Sequence, residues 1–385
     1  MSEHGSSDGS ASSRQRLAAR PAWRELDLDA LGSNLAEARR RAGPGTRLIA
    51  SIKADAYGHG VVAVARRLSE LGVEMLATGS FADAVAVREA GITTRIEMFA
   101  GALPEAMGEY LAHGLTPTLH SMALAQAASR AATGPTNVHI KVDCGLGRIG
   151  VPYDDAPAFV DTVARLPNLV IEAIYTHLPF AGAQGRDWAI SRIARFEDLL
   201  ERLDEAGHRP AITEAIASAG LQLRVSSRAT TVCPGHLLYG VTTGQAGFAD
   251  DTGLKPVLRM VRARLIHTLR YDRAVQIGSS GALHKPAGTI VGTIPIGLAD
   301  GLRPPAPGRS LSAILRGRAV PVMGVSMEHS TLDLTGVDTP AVGEVVTLLG
   351  SDGDAHITLR DLADAQGTSQ TAVLMNFAGR LADGP

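Results

Sequence analysis

A lysine at the end of an apolar run is the first feature that could carry chemistry. The run Arg47–Ala54 contains Lys53 near its end, and a glycine-containing stretch reaches Gly60. A lysine there costs free energy unless its charge is compensated or its pKa is lowered, and a Schiff-base lysine needs a lowered pKa. The glycines would let the chain pass close to a ligand. An isolated lysine of this kind could equally extend its amine to solvent.

Further charged and polar residues stand at corresponding points of later runs. Lys141 lies inside the run Asn137–Gly145, and Arg148 follows its glycine-rich turn. The forked guanidinium of Arg148 suits an anionic group, although Asp143 could instead form a structural ion pair with either base. His177 ends the next run, where a lone histidine is often only a hydrogen-bonded core residue.

Small residues mark the ends of the last two apolar runs, around Ser218 and Gly235. Backbone N–H groups in such positions can bind phosphate, and barrel enzymes often hold phosphate after their last strands. An ordinary loop would have a similar composition. Each of these signals is weak alone, but all of them stand in register at strand ends.

The elements that must position these residues follow a regular order. Eight apolar runs alternate with helical segments at the spacing of βα units, and we predict an α/β fold with a TIM-type (β/α)8 barrel. Asp29 is expected to cap the helix Ala30–Arg41. The predicted barrel strands are Arg47–Ala54, Val73–Ser80, Arg95–Gly101, Leu115–Ser121, Asn137–Gly145, Leu169–His177, Ala211–Ser218 and Arg228–Gly235.

The chain changes character at its two ends. Residues 1–20 are polar and rich in Ser and Gly, and we expect a disordered tail there. The barrel is assigned to residues 21–245, and a second, C-terminal, mostly-β domain to residues 246–385. The first strand, residues 22–28, could join that second domain. The other predicted elements of the C-terminal domain are the strands Val257–Thr268, Gly288–Pro295, Ser312–Leu315, Arg318–Met323 and Val345–Leu349, the helix Thr358–Ala365 and the segment Ala372–Leu381.

Composition excludes several classes of function. The formal net charge is −2, and no basic run with interleaved aromatics indicates a nucleic-acid site. No apolar stretch reaches the roughly 18 residues needed to cross a bilayer. Two cysteines, Cys144 and Cys233, do not make a disulfide framework in 385 residues, so we expect a cytoplasmic protein. No metal site is predicted.

Five motifs, in order along the chain, resemble those of the alanine racemases, enzymes of fold type III that depend on pyridoxal 5′-phosphate (PLP). The first, KADAYGHG at Lys53–Gly60, resembles their PLP-lysine motif. The resemblance runs from about Pro21 to about Leu334 and implies PLP, an amino-acid substrate and a homodimer with shared active sites. The other four motifs are HIKVDCGLGRIG at 139–150, YTH at 175–177, PGHLLYG at 234–240 and IPIGLADG at 294–301.

The resemblance also assigns roles by position. Lys53 would hold PLP and act as an acid and base at Cα, and His177 would lie beside the cofactor ring. Arg148 would contact the cofactor's phenolic oxygen and the substrate carboxylate. Lys141 matches a lysine that many racemases convert to a carbamate, which orients that arginine. The backbone of Met327 would meet the substrate carboxylate from the partner subunit. The residues implied to bind the phosphate are Tyr57, Ser218, Gly235 and His236.

Several positions depart from the family pattern. The family's second base is a tyrosine on the opposite face of the substrate, and here Ile277, or Ser279 after a small shift, stands at its position. Neither can exchange a proton as a tuned phenol does. Cys233 replaces the arginine that faces the cofactor's ring nitrogen, and a thiol offers only a weak hydrogen bond. Further departures are Leu298 for tyrosine, Glu328 for aspartate, and the segment Glu214–Ser218.

Three functions remain open on these residues. The leading one is an amino-acid racemase or epimerase, in which His177, His284, Ser279 or Glu328 would have to act on the face that lacks the tyrosine. The second is a repurposed PLP enzyme of one-sided chemistry, such as β-elimination, retro-aldol cleavage, decarboxylation or hydrolysis. The third is a non-catalytic PLP-binding protein, against which the retention of Arg148 and His177 counts.

Overall fold

The computed structural model describes residues 20–180, 182–242, 252–278 and 281–384, with the backbone alone at residues 182–184. The chain divides into two compact units. One is continuous, Leu28–Val257. The other is discontinuous and joins the segment that ends at Asp27 to Leu258–Pro385. Most of the predicted tail, residues 1–19, lies outside the described residues.

The continuous unit is a closed barrel of eight parallel strands, as predicted. The first strand of the chain, β1 (Ala22–Leu26), belongs to the other unit. The last barrel strand pairs with the first, and a two-residue strand, β7 (Val151–Pro152), adds to β6. The barrel strands are β2 (Arg47–Ser51), β3 (Met75–Thr78), β4 (Arg95–Met98), β5 (Leu115–Leu119), β6 (Thr136–Asp143), β8 (Leu169–Tyr175), β9 (Ile212–Ala217) and β10 (Thr231–Cys233).

Helices connect these strands, and an apolar cluster that includes Ile49, Met75 and Ile212 fills part of the barrel. The first helix begins at Asp29 itself, and the residue at its N-cap is Leu28, not Asp29 as predicted. The Asp29 carboxylate accepts a hydrogen bond from Arg67. The helices are Asp29–Ala42, Val61–Glu70, Phe81–Glu89, Met107–Ala112, Met122–Ala131, Ala156–Ala164, Gly182–Glu205 and Ser218–Gln222. The segment Lys53–Gly58 forms a turn whose backbone angles are not those of a right-handed helix.

The discontinuous unit is mostly β, as predicted. Its main sheet contains β1, which pairs antiparallel with the strand Leu258–Arg264 and parallel with Ala382–Asp383. The predicted run Val257–Thr268 is divided between two strands, and the helix capped by Thr358 forms where expected. The strands after β10 are Leu258–Arg264, His267–Arg270, Val275–Ile277, Leu283–Lys285, Ile290–Ile294, Ser312–Leu315, Arg318–Val325, Ser330–Asp333, Val345–Asp352, Ala355–Ile357 and Ala382–Asp383, and the helices are Leu359–Gln366 and Gln370–Asn376.

Among the described residues, no helix combines the length and the apolar character that crossing a membrane would require. Both cysteines are free thiols: Cys144 is buried and Cys233 is half-buried.

Candidate active site

A pocket opens where the barrel strands end, and it brings together most of the residues that the motifs predicted. Lys53, Tyr57, Lys141, Arg148 and His177 all line it. The predicted phosphate-binding residues and Cys233 line it as well. The remaining lining residues are Ser51, Glu97, Phe99, Tyr175, Leu178, Pro179, Phe180, Glu214, Ala217, Ser218, Ala219, Cys233, Gly235 and His236.

Lys53 follows β2 and its amine lies between two aromatic rings. Its Nζ is 5.5 Å from the centroid of the Tyr57 ring and 5.9 Å from that of Phe99. Burial lowers the pKa of Lys53 below its usual 10.5, and the positive charge of Arg148 adds to this shift. An amine with a lowered pKa is more often neutral, and only a neutral amine can attack a carbonyl group.

The backbone after Lys53 is unusual. Ala54, Asp55, Ala56 and Tyr57 all have φ between 52° and 55°, which is the left-handed conformation that L-residues rarely adopt. Asp55 holds this turn in place, because its backbone N–H donates to the Asp83 carboxylate and its own carboxylate accepts from the N–H of Val61. The left-handed turn orients Tyr57 into the pocket beside Lys53.

Ser218, Gly235 and Tyr57 form a compact group on one wall. Ser218 Oγ accepts hydrogen bonds from the N–H groups of Gly235 at 2.8 Å and Leu237 at 3.2 Å. A Cβ atom at position 235 would lie 2.0 Å from Tyr57 Oη, so only glycine fits there. The Tyr57 ring also meets the His236 ring edge-on at 5.1 Å. Because Ser218 Oγ already accepts these two hydrogen bonds, its O–H is left to donate to a ligand, and the wall carries no charge of its own.

Arg148 is exposed at the mouth of the pocket and is carried by a tightly closed loop. The Asp143 carboxylate accepts hydrogen bonds from the backbone N–H groups of Gly145, Leu146 and Gly147, at 2.8 to 2.9 Å. Asp143 therefore organises the loop backbone, which differs from the ion pair left open on sequence grounds.

Two histidines of the pocket are held neutral. Burial, followed by the nearby Lys141 and Arg148, lowers the pKa of His177 to about 3. Burial and Lys53 lower the pKa of His236 to about 4. A neutral imidazole can donate one hydrogen bond and accept another, so neither ring adds a positive charge near neutral pH.

Buried acids form the floor of the pocket, which the sequence analysis did not foresee. Glu97 and Glu214 are only 1% and 4% exposed. Lys141 and Glu214 both pair with Tyr175 across neighbouring strands, and Lys141 Nζ lies 5.4 Å from the centroid of the Tyr175 ring. The signal that could have revealed Glu97 is its charge within the apolar run Arg95–Gly101.

A chain of alternating charges runs from Glu97 through the barrel wall. His139 Nδ1 lies 3.0 Å from Glu97 and its Nε2 lies 3.2 Å from Glu172, which also pairs with Arg95. The two carboxylates outweigh the burial of His139 and raise its pKa, while His139 and Arg95 lower the pKa of Glu172 to about 2. This arrangement favours the protonated form of His139, which would compensate the charge of Glu97.

Cys233 ends β10 and faces the same floor. Burial, followed by Glu214 and Glu97, raises the pKa of its thiol well above the usual range. The thiol therefore stays protonated near neutral pH and can offer only a weak hydrogen bond.

The other predicted residues belong to the discontinuous unit. Met327 is 65% exposed. Glu328 pairs with Arg380 at 2.7 Å. Ile277 pairs with Leu283 in an antiparallel two-stranded hairpin. Ser279 lies outside the described residues.

The IPIGLADG motif also belongs to this unit, where it has a structural role. The buried Asp300 accepts hydrogen bonds from the backbone of Gly297 and from Arg20. In the same hairpin as Ile277, the side chain of His284 contacts Gln276.

A (β/α)8 barrel with a partly desolvated lysine at its mouth, an arginine on a closed loop and a small-residue wall defines a class of lysine-dependent barrel enzymes. Comparisons with known proteins identify the family within that class. Residues 26–243 match the alanine racemase N-terminal domain and residues 258–383 the alanine racemase C-terminal domain. The chain belongs to the alanine racemase family, whose members are PLP-dependent enzymes, and the resemblance seen in the motifs is confirmed.

Individual relatives match over nearly the whole chain. An alanine racemase of Synechocystis sp. is 35% identical over 94% of this chain and 97% of its own length. That of Desulfosudis oleivorans is 31% identical, with 94% and 95% covered. The crystal structure of alanine racemase from E. faecalis superposes with a TM-score of 0.87 at 28% identity, with 94% and 97% covered. These relatives favour a racemase-like PLP enzyme over the two alternative functions.

Proposed function

We propose that this protein is a PLP-dependent amino-acid racemase that acts at Cα of alanine or a similarly small amino acid. The observation that carries the proposal is the convergence of Lys53, Tyr57, Arg148 and His177 in one pocket, within a chain whose relatives are alanine racemases.

The residues present fit PLP. Lys53 would hold it covalently, because its amine has a lowered pKa and lies in the pocket. The phosphate fits the wall of Tyr57, Ser218 and Gly235, where a side chain at position 235 would collide with Tyr57. His236 borders that wall. Bound PLP withdraws electron density from Cα of the substrate and so makes its proton removable.

The side chains that line the pocket would each have a distinct role. Arg148 would bind the substrate carboxylate through its forked guanidinium, on a loop that Asp143 keeps closed. The free Lys53 amine would remove the proton on one face of Cα and return it there. The neutral His177 would pack beside the ring without adding positive charge. The Cys233 thiol would give the ring nitrogen only a weak partner.

On the motif comparison, Ile277, or Ser279 after a small shift, stands where the family has the tyrosine of the opposite face. Of the three replacement candidates that the structure describes, His177, His284 and Glu328, His177 lines the pocket, although its low pKa makes it a weak base. Glu328 is engaged by Arg380. We therefore expect slow inversion compared with removal of the Cα proton, because one face exchanges its proton less readily than the other.

We further propose a cytoplasmic homodimer with shared active sites. Free thiols at Cys144 and Cys233 are consistent with a reducing compartment. Met327 would offer its backbone to the substrate carboxylate of the partner subunit, and its strong exposure is consistent with that role.

The decisive experiment incubates the purified protein with L- or D-alanine in D2O and measures both deuterium at Cα and the ratio of enantiomers. Racemisation predicts that deuterium enters Cα and that both enantiomers appear from either substrate. Lys53→Ala is the control and should abolish exchange. Deuterium incorporation with complete retention of configuration would reject racemisation. In a parallel incubation with serine, whose β-hydroxyl can leave, release of ammonia with pyruvate would instead support an elimination.

A further inference from the structure

The turn at residues 326–329 joins the strands Arg318–Val325 and Ser330–Asp333, and we call it the Met327 turn. All four of its carbonyl oxygens accept hydrogen bonds, whereas the N–H groups of residues 327–329 have no acceptor in the part of the chain that the structure describes. The donor and acceptor pairs are Leu298 N–H to Ser326 O at 2.9 Å, Ala299 N–H to Met327 O at 2.9 Å, Arg20 to Glu328 O at 3.4 Å and Ser326 N–H to His329 O at 2.8 Å. The turn therefore has backbone donors available to another molecule.

The IPIGLADG motif packs directly against this turn. A Cβ at Gly297 would lie 2.3 Å from the Ser326 carbonyl oxygen and 2.7 Å from the Glu328 nitrogen, so only glycine lets the two backbones approach this closely. The buried Asp300 fixes Gly297 in this position, because its Oδ2 accepts the Gly297 N–H at 2.9 Å. The carboxylate of Asp300 therefore acts on the Met327 turn through Gly297.

Two arginines connect Asp300 to the turn by a second route. Arg20 donates to Asp300 Oδ2 at 2.7 Å and to the Glu328 carbonyl oxygen at 3.4 Å. Arg380 Nε lies 3.5 Å from Asp300 Oδ1, and Arg380 also donates to the Glu328 carboxylate at 2.7 Å. Each arginine thus contacts both Asp300 and Glu328. Loss of the Asp300 carboxylate would remove the anion that the two guanidinium groups share.

We propose that Asp300 is a positioning residue that holds the Met327 turn for the substrate. It acts through Gly297 and the two arginines, and it keeps the Met327 N–H available to the carboxylate of an amino acid in the partner subunit's site. The inference rests on the proposed function, which assigns Met327 to a shared site. A donor that is already held in place binds an anion more tightly than one on a mobile turn, because binding does not have to order the turn.

The expected consequence is a loss of substrate binding and not of chemistry. Proton transfer at Lys53 takes place on the barrel and does not involve the Met327 turn. An interaction of equal strength with the bound substrate and with the transition state changes KM and leaves kcat as it was.

Two measurements on the protein carrying its cofactor test the proposal without turnover. The first is hydrogen exchange of the Leu298 and Ala299 amides, which are bonded to the Met327 turn. The second is the dissociation constant of L-alanine, followed by the change that the amino acid causes in the absorption spectrum of bound PLP. Steady-state kinetics then separates KM from kcat. Asp300→Ala removes the carboxylate, whereas Asp300→Asn keeps an oxygen that can accept the Gly297 N–H.

In Asp300→Ala we expect the two amides to exchange at least about tenfold faster. The dissociation constant of alanine and KM should both rise about tenfold, the effect of losing one hydrogen bond to a charged group. The value of kcat should stay within about twofold. PLP affinity should be unchanged, because Lys53 and the proposed phosphate wall belong to the other unit. Asp300→Asn should recover part of both losses.

Asp361→Ala is the matched control. Asp361 belongs to the same unit as Asp300 and completes the capping box of the helix Leu359–Gln366, so its loss weakens that helix and leaves the contacts of the Met327 turn in place. The exchange of the two amides and the dissociation constant of alanine should keep their wild-type values. An effect of Asp300→Ala that came only from lower stability would appear in both variants.

Two results would overturn the proposal. Unchanged amide exchange in folded Asp300→Ala would show that Asp300 does not hold the turn. Faster exchange with an unchanged dissociation constant would show that the turn does not position the substrate. Failure of the proposed function is distinct from both, because the wild-type protein would then not bind alanine, while amide exchange would still decide whether Asp300 holds the turn.

A second variant applies if circular dichroism shows that Asp300→Ala does not fold. Arg380 is half-exposed, and Arg380→Gln removes one of the two bridges between Asp300 and Glu328. It should raise the amide exchange rate and the dissociation constant of alanine by roughly threefold, as expected for one ion pair near the surface. Wild-type values of both quantities in Arg380→Gln would count against the proposal in the same way.

Discussion

Gly235 occupies a position where the absence of a side chain decides whether a ligand fits. A Cβ there would lie 2.0 Å from Tyr57 Oη, far inside van der Waals contact. In Gly235→Ala, either Tyr57 or the chain at 235 must move, and both line the proposed phosphate wall. We expect PLP affinity to fall at least about tenfold, equivalent to roughly 1.4 kcal/mol, as measured by titration of the apoprotein with PLP.

Gly108→Ala provides the control for that measurement. A Cβ at position 108 meets no atom within 4 Å, and the residue lies in the helix Met107–Ala112, so PLP affinity should be unchanged. Equal PLP affinity in Gly235→Ala and the wild type would remove Gly235 from the phosphate site.

His139 should make stability depend on pH in a particular window. Its raised pKa means that its contribution is complete below the unfolded value near 6.5 and is lost as pH rises through the folded value. Glu172, whose pKa falls from 4.5 to about 2, contributes above 4.5 and loses its contribution as pH falls toward 2. The stability difference between wild type and His139→Gln should therefore be largest between about pH 4.5 and 6.5.

Within that window the cost of His139→Gln should be about 3 to 5 kcal/mol, because the substitution leaves the buried carboxylate of Glu97 without its cation, whereas Glu172 keeps Arg95. Urea unfolding at several pH values measures it. His113→Gln, at a half-buried histidine 3.9 Å from Glu109, should cost well under 1 kcal/mol at every pH. A cost for His139→Gln that does not vary with pH would show that His139 acts by packing alone.

At the scale of elements, the left-handed turn after Lys53 is the feature with the clearest energetic consequence. Ala54 is exposed and has φ 55°, a conformation that costs an L-residue roughly 1 to 2 kcal/mol. Glycine has no such cost, so Ala54→Gly should stabilise the protein by about 0.5 to 1 kcal/mol despite the larger entropy of the unfolded chain. Ala54→Val should destabilise it, since a β-branched residue tolerates positive φ least.

The same substitution in an ordinary helix should have the opposite sign. Ala36 is exposed within the helix Asp29–Ala42, and Ala36→Gly should cost about 1 kcal/mol. Chemical denaturation of the three variants gives both values on one scale. If Ala54→Gly destabilised the protein as Ala36→Gly does, the turn would be right-handed in solution.

These elements also show how much of the structure could be predicted from the sequence. Strand positions could be predicted because a strand buried on both faces must be apolar. Seven of the eight predicted runs contain their strands, and the strand of the eighth, Asn137–Gly145, begins one residue earlier, at Thr136. The left-handed turn could not, since Ala54, Asp55 and Ala56 have no intrinsic preference for positive φ and tertiary contacts impose it. Lys53 was found because its motif is specific. Glu97 was missed because a single acid in a strand gives no sign of its partner His139, 42 residues away.

At the scale of the whole molecule, residues 20–27 and 258–384, at the two ends of the described part of the chain, belong to the same unit. β1 pairs with Leu258–Arg264, and Glu25 on β1 accepts hydrogen bonds from Arg259 and Arg262. More than 230 residues separate these partners. Pairing them requires closure of a loop that contains the entire barrel, which slows folding through contact order. Alternation of residues in β1 predicted a strand, but its partner depends on this long-range closure.

The proposed dimer makes a prediction that belongs to the assembly and not to one chain. If the backbone N–H of Met327 serves the site of the partner subunit, Met327→Pro removes that donor, because proline has no N–H. Met327→Ala keeps the N–H and should retain most activity. Lys53→Ala should be inactive, and Met327→Pro should lose at least about tenfold in kcat/KM, since a lost hydrogen bond to a charged group costs roughly 1.5 to 3 kcal/mol.

Co-expression of Lys53→Ala with Met327→Pro then tests whether the sites are shared. In a mixed dimer, one site combines both defects and the other has an intact Lys53 from one subunit and an intact Met327 from its partner. Random pairing makes half of the dimers mixed, so activity should recover to about a quarter of wild type. If each site were built within one chain, every site in the mixture would carry one defect. The activity would then not exceed the average of the two variants measured alone.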